Sequence, residues 1–272
     1  MIPPRVLIVA GSDSGGGAGI QADIKAVTMF GGFAMTAVTA LTAQNTLGVE
    51  AVLPVPTDFV IKQIEAVLSD LGADAVKIGM IGSAETAQAV AARLEALAVP
   101  VVFDPVMVAT SGSELADAAT IAAFERLIAL AAVVTPNAPE LAVLSGRAIA
   151  TTEDLEDAAL TLARQTGTAV LAKGGHVNSP LVEDLLVEPG RETHRWQAER
   201  IESLNTHGTG CTLASAIACG LGQGRSLADS TGRARDYVQA AILAAPGFGG
   251  GHGPVGHTLG SVPFHLIHNK SA

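Results

Sequence analysis

Val6-Leu7-Ile8-Val9-Ala10, then Gly11-Ser12-Asp13-Ser14-Gly15-Gly16-Gly17-Ala18-Gly19, then the amphipathic stretch 20–30 closed by Gly31-Gly32, sets the architecture of this chain. A short apolar run bounded by glycine reads as a buried strand, and the stretch behind it carries helical spacing with a glycine stop. The unit repeats outward. Strands are expected at 34–41, 49–55, up to Lys77-Ile78, 101–104, 133–135 and 169–173, with helices starting at Thr57 and Ser83, around 124–130, and from Thr152 to about 165. Residues 181–187 and 194–199 read as a strand pair, and two helices at about 210–221 and 227–244 end the series. Strands alternating with helices predict an α/β fold: a mainly parallel central sheet with helices on both faces, in one domain spanning 1–272. The one low-complexity patch is the glycine-rich 246–256.

Composition narrows the class. Hydrophobic residues make up 49% and charged residues 15% of 272 positions, yet no uninterrupted apolar run is long enough to span a bilayer. The opening Met1-Ile2-Pro3-Pro4-Arg5 lacks a signal peptide's long apolar segment, so a cytoplasmic protein is expected. A net charge of −10 argues against a nucleic-acid surface. Cys211 and Cys219 would lie about 12 Å apart along one helix, too far for a disulfide.

Ligands of such sheets bind beyond the carboxyl ends of the strands. After the last strand comes Asn205-Thr206-His207-Gly208-Thr209-Gly210-Cys211-Thr212, followed by a run of small residues able to start a helix. Two glycines permit close backbone approach, and the unpaired N–H groups of a helix start favour an anion. A thiol at that terminus is expected to be acidified, which would make Cys211 a base or a nucleophile. Alone, the same letters also describe a plain turn before a helix. Gln44 follows the second strand, and its amide offers a donor and an acceptor to a heterocycle edge, or to its own loop. Asp104, Glu140 and Lys173 follow later strands and suit magnesium and phosphate, or surface ion pairs. The glycines after the first strand fit a dinucleotide fingerprint only by sliding, and no acidic residue closes a second strand, which argues against a Rossmann dehydrogenase.

Seven motifs occur in order: residues 10–23, Ala40-Leu41-Thr42-Ala43-Gln44-Asn45-Thr46, Lys77-Ile78-Gly79-Met80, Asp104-Pro105-Val106-Met107, Thr135-Pro136-Asn137-Ala138-Pro139-Glu140, Lys173-Gly174-Gly175-His176, and 205–212. On these motifs the chain resembles the hydroxymethylpyrimidine/phosphomethylpyrimidine kinases of thiamine biosynthesis, in the ribokinase-like superfamily. The resemblance implies ATP and Mg2+ as the phosphoryl-donor system, and leaves a monovalent-cation requirement open. It implies that Gln44 bonds an aminopyrimidine, Met80 and Val106 pack on the ring, and Gly11 and Asp23 line the same pocket. Gly208, Thr209, Gly210 and Cys211 would form the hole for the transferred phosphoryl group. Asp104 and Glu140 would hold magnesium largely through water, with Asn137, Lys173 and Thr206 near the nucleotide phosphates. A homodimer is expected by analogy.

Sugar and nucleoside kinases of this superfamily usually carry aspartate where this chain has Cys211. Pyridoxal and pyridoxine kinases share the fold and are the nearest alternative. A cysteine hydrolase using His207 and Cys211 would leave Lys173, Asp104 and Glu140 unexplained. A non-catalytic pyrimidine sensor would bind ligand without turning over ATP.

Overall fold

The computed structural model describes residues 2–108, 112 and 115–259; Met1 and 260–272 of the expected domain lie outside the described residues. Nine strands form one sheet among them. They are β1 (Arg5–Asp13), β2 (Phe33–Gln44), β3 (Val49–Pro54), β4 (Ala75–Ile78), β5 (Val101–Phe103), β6 (Val133–Val134), β7 (Ala169–Ala172), β8 (Leu181–Val187) and β9 (His194–Glu199). The helices are α1 (Gly19–Met29), α2 (Thr57–Asp70), α3 (Ala84–Leu94), α4 (Ala118–Leu130), α5 (Ala138–Ser145), α6 (Thr152–Thr166), α7 (Thr209–Gly222) and α8 (Leu227–Leu243).

The sheet order is β3-β2-β1-β4-β5-β6-β7-β8-β9. Strands from β2 to β7 pair in parallel. Only the hairpin arms β3, β8 and β9 run antiparallel to their neighbours. Because β1 is flanked by β2 on one side and β4 on the other, the chain reverses its direction of winding there, opening a crevice at the carboxyl ends.

Period-two alternation divides the core. Leu7 and Val9 of β1 face a cluster with Val60 of α2, Val90 of α3, Phe124 of α4, Leu141 of α5 and Leu155 of α6. Val6, Ile8 and Ala10 face the other cluster, with Val27 of α1, Leu213 and Ile217 of α7, and Ala234 of α8. The same alternation places Lys77 of β4 among α1 and α7, where an apolar side chain would be expected; it is fully buried and bonded to Asp23 of α1.

Local chemistry accounts for the helix starts. Ser83 caps α3 through Thr86 N–H at 3.1 Å, as expected. For α6 the cap is Thr151, one residue before the expected Thr152, in a capping box with Asp154. Thr57 does not cap α2; the helix starts at it behind Pro56, and its hydroxyl meets that of Thr86 at 3.0 Å. Helix α5 was not anticipated: Asn137 and Glu140 cap each other reciprocally and Gly146 ends the helix in the left-handed region, at φ 67°.

Candidate active site

A cavity of about 1040 Å³ opens at the carboxyl ends of the parallel strands. All fourteen site residues read from the sequence except Asp23 line it: Gly11, Gln44, Met80, Asp104, Val106, Asn137, Glu140, Lys173, Thr206, Gly208, Thr209, Gly210 and Cys211. Asp23 is a correction. Its side chain is fully buried beneath the cavity, where both oxygens accept from Lys77 Nζ at 2.9 Å and Oδ1 accepts from Ser215 Oγ at 2.7 Å.

The start of helix α7 lines one end of the cavity. Gly208 takes φ 87°, and a Cβ there would stand 1.9 Å from Gly17 O, so only glycine lets the two loops meet. The first intrahelical bond runs from Thr212 N–H to Gly208 O at 2.9 Å, so Gly210 and Cys211 N–H precede the ladder and have no acceptor within the helix. Lys173 and Asp104 stand before this terminus: a Cβ at Gly210 would lie 3.2 Å from Lys173 Nζ and 3.5 Å from Asp104 Oδ2. Lys173 is positioned by the pairing of its backbone N–H with Pro136 O at 2.9 Å, which aligns the ends of β6 and β7.

The carboxylates are shaped for an ion shared with a ligand. Asp104 Oδ1 accepts from Lys173 Nζ and from Thr135 Oγ1, each at 2.9 Å. Burial works against its ionisation, but Lys173 and Lys77 hold its carboxyl below the ordinary range. Glu140 Oε2 accepts from Asn137 N–H at 2.8 Å, and burial pushes its carboxyl up to about 7. No group of three or more His, Cys, Asp or Glu among the described residues forms a protein cage for a metal. Two carboxylates beside a helix start with open N–H groups do fit magnesium, which keeps several waters and takes few ligands from protein.

Cys211 departs from expectation. Burial pushes its thiol up to about 11, despite Lys77 and the Gly19 amide that bonds the sulfur. It is therefore protonated near neutrality, because desolvation outweighs the helix terminus.

Another wall of the cavity is built on the glycine loop. Asp13 gathers that loop by accepting from the N–H groups of Gly15, Gly17 and Ala18 at 2.8, 3.0 and 2.8 Å. Its carboxyl lies low: burial opposes ionisation, and His207 and the loop amides outweigh burial. His207 Nε2 donates to Asp13 Oδ2 at 2.9 Å and stands 3.3 Å from Gln44 Nε2. The histidine thus serves Asp13 rather than a Cys–His nucleophilic pair. Gly11 lies close under Met80, whose Sδ would be 3.0 Å from a Cβ there. Asp13, His207 and Lys77 also line the cavity and were not assigned from sequence. The alternation that makes Lys77 an intruder in an apolar strand face is the signal that could have found it.

Comparison with known proteins agrees with this geometry. The family model described as phosphomethylpyrimidine kinase matches residues 13–256. The hydroxymethylpyrimidine/phosphomethylpyrimidine kinase of Rhizobium meliloti is 48% identical over 255 residues, 92% of this chain and 96% of that protein. The thiamine biosynthesis bifunctional protein ThiED of Geobacter sulfurreducens is 51% identical over 256 residues, 93% of this chain; the chain spans only 52% of that relative's length. It likewise spans only 35% of the multifunctional ThiED of Corynebacterium efficiens, at 43% identity over 93% of this chain. Among solved structures, the phosphomethylpyrimidine kinase of Clostridium difficile matches at TM-score 0.78 and 35% identity, covering 88% of this chain and 99% of that one. The pyridoxal kinase of Staphylococcus aureus with pyridoxal matches at TM-score 0.87 and 32% identity, covering 94% of each chain. With this reach over a mainly parallel sheet that carries the start of α7 at its strand ends, the chain belongs to the phosphomethylpyrimidine kinase family.

Proposed function

We propose that this chain transfers the γ-phosphoryl group of ATP to 4-amino-5-hydroxymethyl-2-methylpyrimidine, and then phosphorylates the monophosphate to the diphosphate, in thiamine biosynthesis. The observation that carries the reading is the start of α7: unpaired N–H groups at Gly210 and Cys211, with Lys173 before them, on one wall of a cavity that also holds Gln44. The acceptor oxygen attacks the γ-phosphorus, the bond to the β-phosphate oxygen breaks, and ADP leaves. Such a transition state is loose, so positioning and charge stabilisation supply most of the catalysis. Asn137, Thr206 and Lys173 hold the nucleotide phosphates in this account. Asp104 and Glu140 hold magnesium, which neutralises charge on the transferred group.

Gln44 reads the paired donor and acceptor of an aminopyrimidine, with Met80 and Val106 against the ring and Gly11 giving it room. A secondary activity on pyridoxal is kept as an alternative because of the likeness to the Staphylococcus pyridoxal kinase. We also propose a homodimer: β3 is an edge strand that exposes Leu53 at 65%, opposite the exposed Leu41 of β2. No helix among the described residues is long and apolar enough to cross a membrane. Cytoplasmic location is proposed on the two unpaired cysteines.

Incubation with MgATP and a panel of hydroxymethyl heterocycles, read by mass spectrometry, is expected to show the aminopyrimidine phosphorylated more efficiently than pyridoxal. Gln44→Leu should cost about 1–3 kcal/mol in kcat/KM for it. A Gln44→Leu enzyme equal to the parent would remove Gln44 from the site, and absence of any added phosphate would end the kinase reading.

Replacing Asp104 or Glu140 by Ala is expected to raise the magnesium needed for half-maximal rate while leaving pyrimidine binding nearly intact. Lost pyrimidine affinity with unchanged magnesium dependence would put the carboxylates on the acceptor side.

Cys211 is assigned as the weak base for the alcohol. Since its thiol titrates only at about 11, the thiolate fraction grows through the neutral and mildly alkaline range. The first phosphorylation should therefore accelerate from pH 7 to 9. The monophosphate acceptor, with a second pKa near 6, needs no base and should be flat there. Cys211→Ala should abolish that acceleration and slow the first step by about 10²-fold, with a much smaller loss in the second. Equal losses in both steps would reduce Cys211 to a packing role.

A further inference from the structure

The glycine-rich patch 246–256 is not a slack connector. Past α8 the chain is exposed from Pro246 to Gly250, and then buries Gly253, Val255 and His257 at alternate positions. Several of its glycines lie where the backbone meets other elements too closely for a side chain. A Cβ at Gly251 would stand 2.1 Å from Thr46 O, in the turn that follows Gln44. One at Gly253 would stand 2.0 Å from Asn205 Oδ1, in the loop before α7, and one at Gly256 2.2 Å from Ala244 O, just past α8.

Hydrogen bonds follow the same course. His252 N–H donates to Thr46 O at 2.9 Å, and Gly251 N–H to Thr46 Oγ1 at 3.3 Å. Next along the segment, Gly253 O accepts from His207 N–H at 3.1 Å, and Pro254 lies beside His207 in a parallel bridge. The far end is pinned to both closing helices. Gly256 N–H donates to Ala241 O of α8 at 2.8 Å, Tyr237 Oη donates to His257 O, and His257 Nε2 and Thr212 Oγ1 share a bond at 2.9 Å. Thr212 is the residue whose N–H opens the ladder of α7. At the other hold, Asn45 closes the turn on itself, its Oδ1 accepting from Leu47 and Gly48 N–H at 2.8 and 3.2 Å. A shift of Thr46 is therefore passed to the strand end that carries Gln44.

We propose that Thr46 is a positioning residue, gripped by the strap 246–257, and that this grip sets the separation between Gln44, which reads the acceptor, and the start of α7, which receives the phosphoryl group. This role rests on the functions proposed above for Gln44 and α7. Gln44 and His207 are 163 positions apart, so their spacing depends on ties between distant segments. The glycine loop is one tie, through Ser14 to Gln44 and Asp13 to His207. The strap is a second, made largely by backbone contacts. Transfer needs the reacting atoms about 3–3.5 Å apart and aligned, so an element that spaces the two walls acts on the rate as well as on the fold.

Two adjacent glycines provide the test. Neither Gly250 nor Gly251 takes the left-handed region, so the backbone admits alanine at both, but the space differs: the nearest atom to a Cβ at Gly250 would be Leu47 Cδ2, at 3.9 Å. Gly251→Ala must push the strap off Thr46. It is expected to raise the KM of the aminopyrimidine and lower kcat by about tenfold each, with the KM of ATP within about twofold of the parent. Gly250→Ala should match the parent in all three. Calorimetric titration of the aminopyrimidine without nucleotide should show the weaker binding by Gly251→Ala directly. A strap that only stabilises the fold lowers the melting temperature and leaves both KM values unchanged, or raises both together; either result overturns the proposal, as does equality of the two variants. If Gly251→Ala does not fold, the unaltered protein is read instead: amide exchange at His252 should slow when the aminopyrimidine saturates the site, and unchanged exchange refutes the coupling. A parent that binds the aminopyrimidine without phosphorylating it would end the kinase reading, while weaker binding by Gly251→Ala would still carry the strap. Phosphorylation with two indistinguishable variants would do the reverse.

Discussion

An ammonium with no exposure to solvent, Lys77, must have a carboxylate, and the need to supply one ties β4 to α1 and, through Ser215, to α7. That knot joins α1 and α7 close behind their starts. Gly19 opens α1 and Gly208 caps α7, and these two turns touch, with Gly208 against Gly17 O and Cys211 against Gly19 N–H. The N-terminal end of α7 is therefore held by buried contacts to neighbouring elements.

Magnitudes decide the state of the thiol at this terminus. A helix start returns about 0.3–1 kcal/mol to a nearby negative charge, and up to ~2 where partly buried. Burial raises the thiol to about 11, against an ordinary ~8.5, a cost of about 3 kcal/mol. Desolvation wins. The terminus is better used on a phosphate oxygen, which arrives already ionised and meets several N–H groups at once, and a weak base suffices for a loose transition state.

Much of this was legible in the residues because the fold is built from short-range signals. Apolar runs bounded by glycine marked the parallel strands, and 181–187 with 194–199 were placed at their observed bounds as β8 and β9. Glycines at strand ends led to the cavity wall, where only a missing Cβ allows Gly208 against Gly17. What stayed hidden depends on contacts distant in sequence. Helix α5 was missed because Asn137 and Glu140 were read only as ligand groups, while their reciprocal cap also starts a helix. Asp23 reads as a pocket residue until Lys77, 54 positions away, claims it. The union of Asp13 with His207 spans 194 positions, and no local pattern announces it.

The central claim is that the start of α7 receives the transferred phosphoryl group. A crystal structure with MgADP, an aluminium fluoride mimic of the phosphoryl group and the hydroxymethyl aminopyrimidine tests it most directly. The account predicts the planar fluoride within hydrogen-bond reach of the Gly210 and Cys211 N–H groups and of Lys173 Nζ, with the pyrimidine amino edge on Gln44. A fluoride bound elsewhere in the cavity, with α7 facing only solvent, would contradict it.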